Sequence, residues 1–492
     1  MNGADLIWLA LAAPLVGGVG VALMARVPDV RETATVIAAI VTFIAAGAVA
    51  LQLAQGGGLE TPALTVAPGL DIQFRVEPLG AVFGCIAAGL WILNSLYSIG
   101  YMRANREKDQ TRFYICFTIA ISAALAVAYA ANLFTLFIAY EVLTLSTYPL
   151  VAHKGDAKAT KGARIYLLTL MATSIGLLLT AIVWTYAVAG TTEFVEGGIL
   201  AGKVGTGVAG ILLALYMFGI GKAALMPFHF WLPNAMVAPT PVSALLHAVA
   251  VVKAGVFTVL KVATYVFGFE MVASADGRDL LLGVACFTLV AASLIALRQD
   301  NLKSRLAYST VSQLAYVTVG ALLATSAAAL GGGLQILMHA FGKITLFMCA
   351  GAIYVATGKT EVSQMTGLGR KMPLVFIAFL IGSLSVIGLP PFGGAWPKWE
   401  LMQGAVDADR AWVVWALVAS SLLNVAYLMP IAIKGLMPGD GAPTPPAFKR
   451  PGGAPALTVL PLCVTAAGCI VLFFAVDPIA GFLARAFDGV SP

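Results

Sequence analysis

Residues 221–255 read GKAALMPFHFWLPNAMVAPTPVSALLHAVAVVKAG, and the rest of the chain is read outward from this stretch. Lys222 stands at the end of an apolar run that begins near residue 205. Pro227, Pro233, Pro239 and Pro241 follow, and then a second apolar run carries His247, Lys253 and, just beyond the quoted residues, Lys261. Proline removes a backbone donor and clashes with the preceding turn, so one regular helix cannot hold across this segment. A broken helix beside titratable side chains is tolerated at membrane depth where it lines protein or a hydrated cavity, and transporters use it for ion sites. The stretch therefore predicts a broken seventh span over 205–226 and a charged eighth span over 240–266.

The composition around it agrees. The chain is 60% hydrophobic and 11% charged, against about 25% charged in water-soluble domains. Its apolar runs are long enough to cross about 30 Å of hydrocarbon, which takes roughly 20 residues of helix. Within hydrocarbon every backbone polar group must be paired, which leaves helices or a closed barrel. Continuous apolar runs without ten-residue alternation decide for helices. The 51 glycines suit close helix–helix approach. The expected fold is an all-α polytopic membrane protein of about fourteen spans: 5–25, 34–54, 78–100, 112–130, 132–152, 163–190, 205–226, 240–266, 279–297, 306–328, 332–356, 373–390, 410–434 and 454–477. A second break falls at Pro390, Pro391 and Pro397 with Gly393 and Gly394, and residues 392–404 continue the twelfth span beyond it. Breaks five spans apart lie in opposite orientations, which points to two inverted five-helix units. The expected divisions are a three-helix region over 1–111, repeats over 112–270 and 271–436, and a last loop and helix over 437–492.

Basic residues set the orientation. Odd-numbered connections hold Arg26, Arg31, Arg103, Arg106, Lys108, Arg112, Lys154, Lys158, Lys161, Arg164, Arg298, Lys303, Arg305, Lys359, Arg370, Lys371, Lys434, Lys449 and Arg450, which is 19. The even-numbered connections and the C-terminus hold five: Arg75, Lys203, Arg278, Arg410 and Arg485. Basic loops stay cytoplasmic, so both termini are expected on the extracytoplasmic side of a bacterial inner membrane. The net charge of +6 is thus a topology signal, not a sign of a nucleic-acid partner. Residues 6–25 lack a basic start and a cleavage site and read as a retained helix, not a signal peptide. The six cysteines are scattered without a CxxC pair, so no iron–sulphur or thiolate zinc site is expected. No HExxH, carboxylate cluster or glycine-rich phosphate loop occurs, so neither a metal, nor another cofactor, nor ATP is expected to bind.

With the loop charges set aside, ionisable residues remain inside apolar spans. They are Glu141 in the fifth, Lys222 in the seventh, His247, Lys253 and Lys261 in the eighth, His339 and Lys343 in the eleventh, and Lys398 near the broken twelfth. A fixed charge at this depth costs at least several kcal/mol unless paired or hydrated, so each is a functional candidate. The structural alternative is an ion pair or a lysine snorkelling from a helix end, which weighs most for Lys261. Glu141 reads as the one acid well inside a span, and Lys222 as its natural partner. Leaving water disfavours the charged form of a lysine, so a buried lysine can carry a proton reversibly. His339 and Lys343 share a helix face at four-residue spacing. His247 and Lys253, six apart, flank a file better than they would hold a metal. Ser146, Tyr148, Ser243, Tyr308, Ser309, Thr310, Ser312, Gln313, Tyr316 and Asn424 could order water along it, although each alone more often serves helix packing.

Residues 221–255 resemble the signature of the antiporter-like subunits shared by complex I and Mrp-type multisubunit cation/proton antiporters. The resemblance continues in YEVLTLSTYPL at 140–150, LKSRLAYSTVSQLAY at 302–316, HAFGKITLF at 339–347 and GLPPFGGAWPKW at 388–399, covering roughly residues 70–435. Chain length and SSLLNVAYLMPI at 420–431 look most like the Mrp D subunit. The resemblance implies fourteen core helices, inverted repeats of helices 4–8 and 9–13, and a hydrophilic central axis. It implies that Glu141, Lys222, His247, Lys253, His339, Lys343 and Lys398 transfer protons. Ala395, Trp396 and Pro397 depart from the pattern by replacing a glycine–phenylalanine turn and serine before Lys398. The implied function is the proton-translocating subunit of a multisubunit sodium/proton antiporter, with other membrane subunits, lipids, protons and sodium as partners. The alternatives are the equivalent subunit of an NADH dehydrogenase, membrane-bound hydrogenase or inorganic-carbon uptake complex, and a standalone proton-coupled solute transporter. A purely structural scaffold would gain nothing from an isolated Glu141 and several buried lysines.

Overall fold

The protein is described from a computed structural model covering residues 2–437 and 454–487. The basic residues Lys449 and Arg450, with the rest of the loop in the last expected division, lie outside the described residues. Helices dominate: α1 (Gly3–Leu23), α2 (Pro28–Ala54), α3 (Pro78–Ala104), α4 (Gln110–Tyr129), α5 (Leu133–Val151), α6 (Ala157–Ala189), α7 (Thr206–Gly219) and α8 (Thr240–Phe267). There follow α9 (Arg278–Arg298), α10 (Leu302–Leu323), α11 (Ser326–Thr357), α12 (Pro373–Ile387), α13 (Ala395–Asp407), α14 (Trp412–Leu436), α15 (Ala456–Phe474) and α16 (Val476–Ala484). Among the described residues, twelve helices are long and apolar enough to cross a membrane, and α7 and α12 are shorter apolar helices. The two short ones are the spans for which breaks are expected. Polar caps start many of the helices: Asn2, Asn132, Asp156, Asn301 and Thr325 each accept a backbone N–H of the first turn, answering donors that hydrocarbon would leave bare.

One element escapes the all-helical expectation. Leu64–Ala67 and Leu70–Ile72 pair as a small antiparallel ribbon between α2 and α3, turning at Gly69 with φ +77°. Bridges Phe74–Ala130 and Asn132–Glu193 tie this loop to the next two even-numbered connections, and Asp279–Arg410 joins two later ones at 2.9 Å. The odd-numbered connections meet at the other end of the bundle, for instance where Asn301 bridges Glu361 and the Gly367 N–H donates to Lys434 O. The alternation expected from the basic residues is thus built into the packing.

Arg31 is a correction. It is expected in a loop, but α2 begins at Pro28, whose fixed φ suits a first helical turn, and this draws Arg31 and Glu32 into the bundle at 5% and 3% exposure. Arg103 grips both Glu32 and Asp29, while Arg31 donates to Gln110 Oε1 at 2.9 Å and Thr111 Oγ1 at 3.2 Å. Removing the buried acid leaves two guanidinium groups facing each other without it. Glu32→Gln is expected to destabilise the fold by about 3 kcal/mol, the low end for breaking a buried ion pair because Arg103 reaches the surface. A fall in the melting temperature of the detergent-solubilised protein checks it; an unchanged value counts against a stabilising role.

The core sits on three helices. The apolar windows of α8, α10 and α11 are 100%, 94% and 94% buried, against 39% for α1, α2, α14 and α15. The outer helices present exposed apolar side chains such as Val16, Leu23, Ile44 and Trp415, as a lipid-facing rim requires. Backbones approach closely at the centre. A side chain at Gly255 of α8 would lie 2.4 Å from the carbonyl carbon of Lys222, so glycine lets α8 lie directly on the seventh-span break.

Candidate functional site

The first break follows α7. Gly221–Ala223 forms a single tight turn, and the backbone groups that it frees find partners: the Lys222 N–H donates to Tyr140 Oη at 3.1 Å, and Gly221 O accepts from Trp231 Nε1 at 3.0 Å. The turn aims the Lys222 side chain at α5. Its Nζ donates to Tyr140 O at 2.8 Å and Thr144 Oγ1 at 2.6 Å, and lies 3.1 Å from the Tyr140 ring centroid. A charged ammonium is well served by this carbonyl, hydroxyl and ring face. The expected direct pairing with Glu141 is not made: α5 presents the neighbouring residue's carbonyl instead. Glu141 remains within electrostatic reach of Lys222, and both its carboxylate oxygens are buried without a hydrogen-bond partner. Such a group is costly to keep as a static feature.

The central file joins α8 to α11. Lys253 Nζ lies 2.6 Å from His339 Nδ1. At this separation the two nitrogens share one proton position between them, with one donating and the other accepting. His339 is within electrostatic reach of Lys253, Lys343, His247 and Lys398. Lys343, one turn along α11, donates instead to Ser309 Oγ of α10 at 2.6 Å. Ser309 Oγ is 2.7 Å from Tyr427 Oη, which also bonds Asn424 Oδ1. His247 is fully buried, stacks on Phe347 at 4.6 Å, and leaves both ring nitrogens unpartnered. It sits in a π-turn over Leu245–Val249, a local widening often found at functional sites.

The second break separates α12 from α13. Gly388 has φ +86°, and a side chain there would meet Lys398 Cδ at 2.7 Å. Lys398 is 6% exposed and does not snorkel. Its Nζ reaches back to the end of α12, donating to Ile387 O at 2.6 Å, Val386 O at 3.2 Å and Ser421 Oγ at 2.9 Å, with Tyr316 5.0 Å away. A cation at a helix C-terminus answers its free carbonyls and dipole. The divergent residues do not misplace it: Pro397 falls in the first turn of α13, where no helical N–H is lost, and Trp396 Nε1 anchors to Phe473 O at 2.9 Å. A cavity of about 460 Å³ opens beside Lys398, lined by Ser421, Leu417, Trp399 and Leu422.

The supporting residues divide. Ser309 receives Lys343, and Ser312 forms a triad with Ser293 and Ser420 at 2.9–3.2 Å. Gln313 accepts from Gln335 at 2.8 Å, and Tyr316 faces both Ser421 and Lys398. Ser243 is buried with a free hydroxyl. Ser146 and Thr310 bond only carbonyls of their own helices, and Tyr308 is half-buried beside the His229 ring. Pro227 lies in the loop after the first break, Pro239 and Pro241 open α8, and Pro390 and Pro391 occupy the second break. Sequence reasoning passed over Tyr140, Thr144 and Ser421, which accept from Lys222 and Lys398, and Ser293, Ser420 and Tyr427, which bond Ser312 and Ser309. Lys261 takes the ion-pair form, fully buried against Glu77, and this corrects the expectation for Glu141, which is not the only acid facing an interior lysine. Among the described residues no three His, Cys, Asp or Glu side chains converge as a metal ion would need.

Residues 130–424, which include every candidate from Glu141 to Lys398, match the family described as NADH:quinone oxidoreductase/Mrp antiporter, TM. The NADH-quinone oxidoreductase subunit N of Desulforudis audaxviator is 31% identical over 479 residues, covering 94% of each chain. A Na(+)/H(+) antiporter subunit of Alkalihalophilus pseudofirmus is 33% identical over 368 residues, 70% of this chain and 44% of that one. This chain thus spans under half of that relative's length. The solved structure of the Mrp complex from Dietzia sp. DQ12-45-1b superposes with a TM-score of 0.83 and 29% identity, over 99% of this chain and 52% of that one.

Proposed function

Because the chain belongs to the NADH:quinone oxidoreductase/Mrp antiporter transmembrane family, we propose that it is the proton-translocating subunit, most like Mrp D, of a multisubunit sodium/proton antiporter. The observation that carries this reading is the 2.6 Å contact of Lys253 with His339. It is a proton-sharing contact between α8 and α11, from the two halves of the chain, in the most buried part of the bundle. Protons pass along Glu141, Lys222, Lys253, His339 and Lys343 to Lys398, with His247 beside the file. Each lysine alternates between ammonium and amine as its neighbour's charge changes. The two breaks expose backbone groups that ordered water can satisfy, so no full charge need cross lipid. The two five-helix units, 112–270 and 271–436, are inverted repeats, and the end bearing the basic connections faces the cytoplasm.

The extent of the match to a quinone oxidoreductase subunit N, 94% of both chains, favours a second reading, the equivalent subunit of a redox-driven complex. Both readings place the chain among partner subunits, in keeping with relatives that are a subunit of an NADH-quinone oxidoreductase and part of an Mrp complex. Purified alone and placed in liposomes, the chain is expected to show no sodium-dependent proton flux, whereas the complex co-purified with it exchanges the two ions. Flux from the single chain at the rate of the complex would falsify the subunit reading. Proton flux by the complex that needs an electron donor and ignores sodium selects the redox-driven one.

A further inference from the structure

None of the groups named in the file from Glu141 to Lys398 leads to the end of the bundle where the even-numbered connections meet. Lys261 does. It lies eight residues beyond Lys253 on α8, about 12 Å along the axis at 1.5 Å per residue. Its Nζ is fully buried, 3.3 Å from Glu77 Oε2, 2.7 Å from Ala130 O and 4.5 Å from the Phe194 ring centroid. Glu77 stands just before α3 and keeps 13% exposure of its side chain while Oε2 is buried. The carboxylate thus spans from the surface to the enclosed ammonium. Around the pair, Arg75 donates to Phe194 O at 2.5 Å and lies 3.9 Å from Glu60; it holds the Phe194 ring over Lys261. Tyr265 and Glu196 complete the polar surroundings. A π-turn over Ala263–Phe267 follows Lys261 closely, as another carries His247 on the same helix.

Resting on the proton-translocation reading, we propose that Glu77 and Lys261 form a further proton-transfer site joining the interior file to the face made by the even-numbered connections. The Lys261 ammonium gives a proton to Glu77: an N–H bond breaks, an O–H bond forms, and a neutral amine and a neutral acid remain. Glu77 then releases the proton to solvent at its exposed edge, and Lys261 is reprotonated from the Lys253 side through intervening water. A structural pin needs only a fixed positive charge. Moreover, a buried ion pair is commonly no more stable than well-packed apolar residues of similar volume, so stability alone is weak reason for this arrangement.

The test uses the whole complex in everted vesicles, with complex level measured beside ion-driven pH change. Lys261→Arg keeps the charge and the pairing but gives up its proton only with great difficulty. Lys261→Arg is expected to assemble normally and Glu77→Gln in reduced amount, each lowering exchange per assembled complex on the order of a hundredfold, the lower end of what a positioned proton-transfer group contributes. Wild-type exchange in assembled Lys261→Arg overturns the proposal. If that variant does not assemble, the neutral double variant Glu77→Gln/Lys261→Met decides, and normal exchange in it has the same meaning. Lys222→Ala serves as control. Loss of exchange in Lys222→Ala with normal exchange in Lys261→Arg rejects this site alone, whereas no ion-driven pH change from the wild-type complex rejects the underlying function.

Discussion

Glu141→Gln is expected to lower proton movement on the order of a hundredfold while leaving the complex assembled, the magnitude being that of a lost positioned proton donor or acceptor. The two side chains have nearly the same shape, so the packing of α5 is kept. Neither carboxylate oxygen has a hydrogen-bond partner, so the amide breaks no contact, and a neutral group at this depth costs less than a charged one. What the substitution removes is the ability to gain and lose a proton beside Lys222. Lys222→Ala should abolish exchange too, but with some loss of stability. It takes the ammonium away from Tyr140 O and Thr144 Oγ1 and leaves a buried carbonyl with less to accept. Ion-driven pH change in everted vesicles, scaled to the amount of assembled complex, measures both. Normal exchange with both substitutions would remove Glu141 and Lys222 from the mechanism.

Lys398→Arg is expected to assemble and to fail in exchange by a similar factor. The site offers three acceptors, Ile387 O, Val386 O and Ser421 Oγ, and the neighbouring cavity of about 460 Å³ has room for a guanidinium. The positive charge at the end of α12 therefore survives. Arginine holds its proton far more tightly than lysine does, so a residue that merely closes the helix end tolerates the change and one that passes protons does not. Lys398→Ala should lose exchange as well, and it leaves the two carbonyls unanswered, so its assembly should fall where that of the arginine variant does not. An assembled Lys398→Arg complex that exchanges ions at the wild-type rate would mean that the file leaves the protein elsewhere.

Hydrophobic run length, proline position and the distribution of Lys and Arg determined most of the architecture without any tertiary information. The backbone must satisfy itself in hydrocarbon, so an apolar run of membrane length has little choice but helix, and the clusters at Pro227–Pro241 and Pro390–Pro397 mark where helix fails. The same economy singled out the interior residues, since ionisable groups are rare in such runs. Partnership was not legible in this way. Lys222 lies beside Tyr140 and Thr144, and Lys253 touches His339 instead of His247, because contacts between helices depend on rotation and crossing that one helix's sequence does not encode. Glu77 sits in what reads as a loop; bridges from the ribbon segment to Ala130 and from Asn132 to Glu193 carry it against Lys261. Arg31 likewise appeared solvent-facing until α2 started three residues before it. The packing of α8, α10 and α11 brings side chains from distant parts of the chain within hydrogen-bond reach, Lys253 with His339 and Lys343 with Ser309.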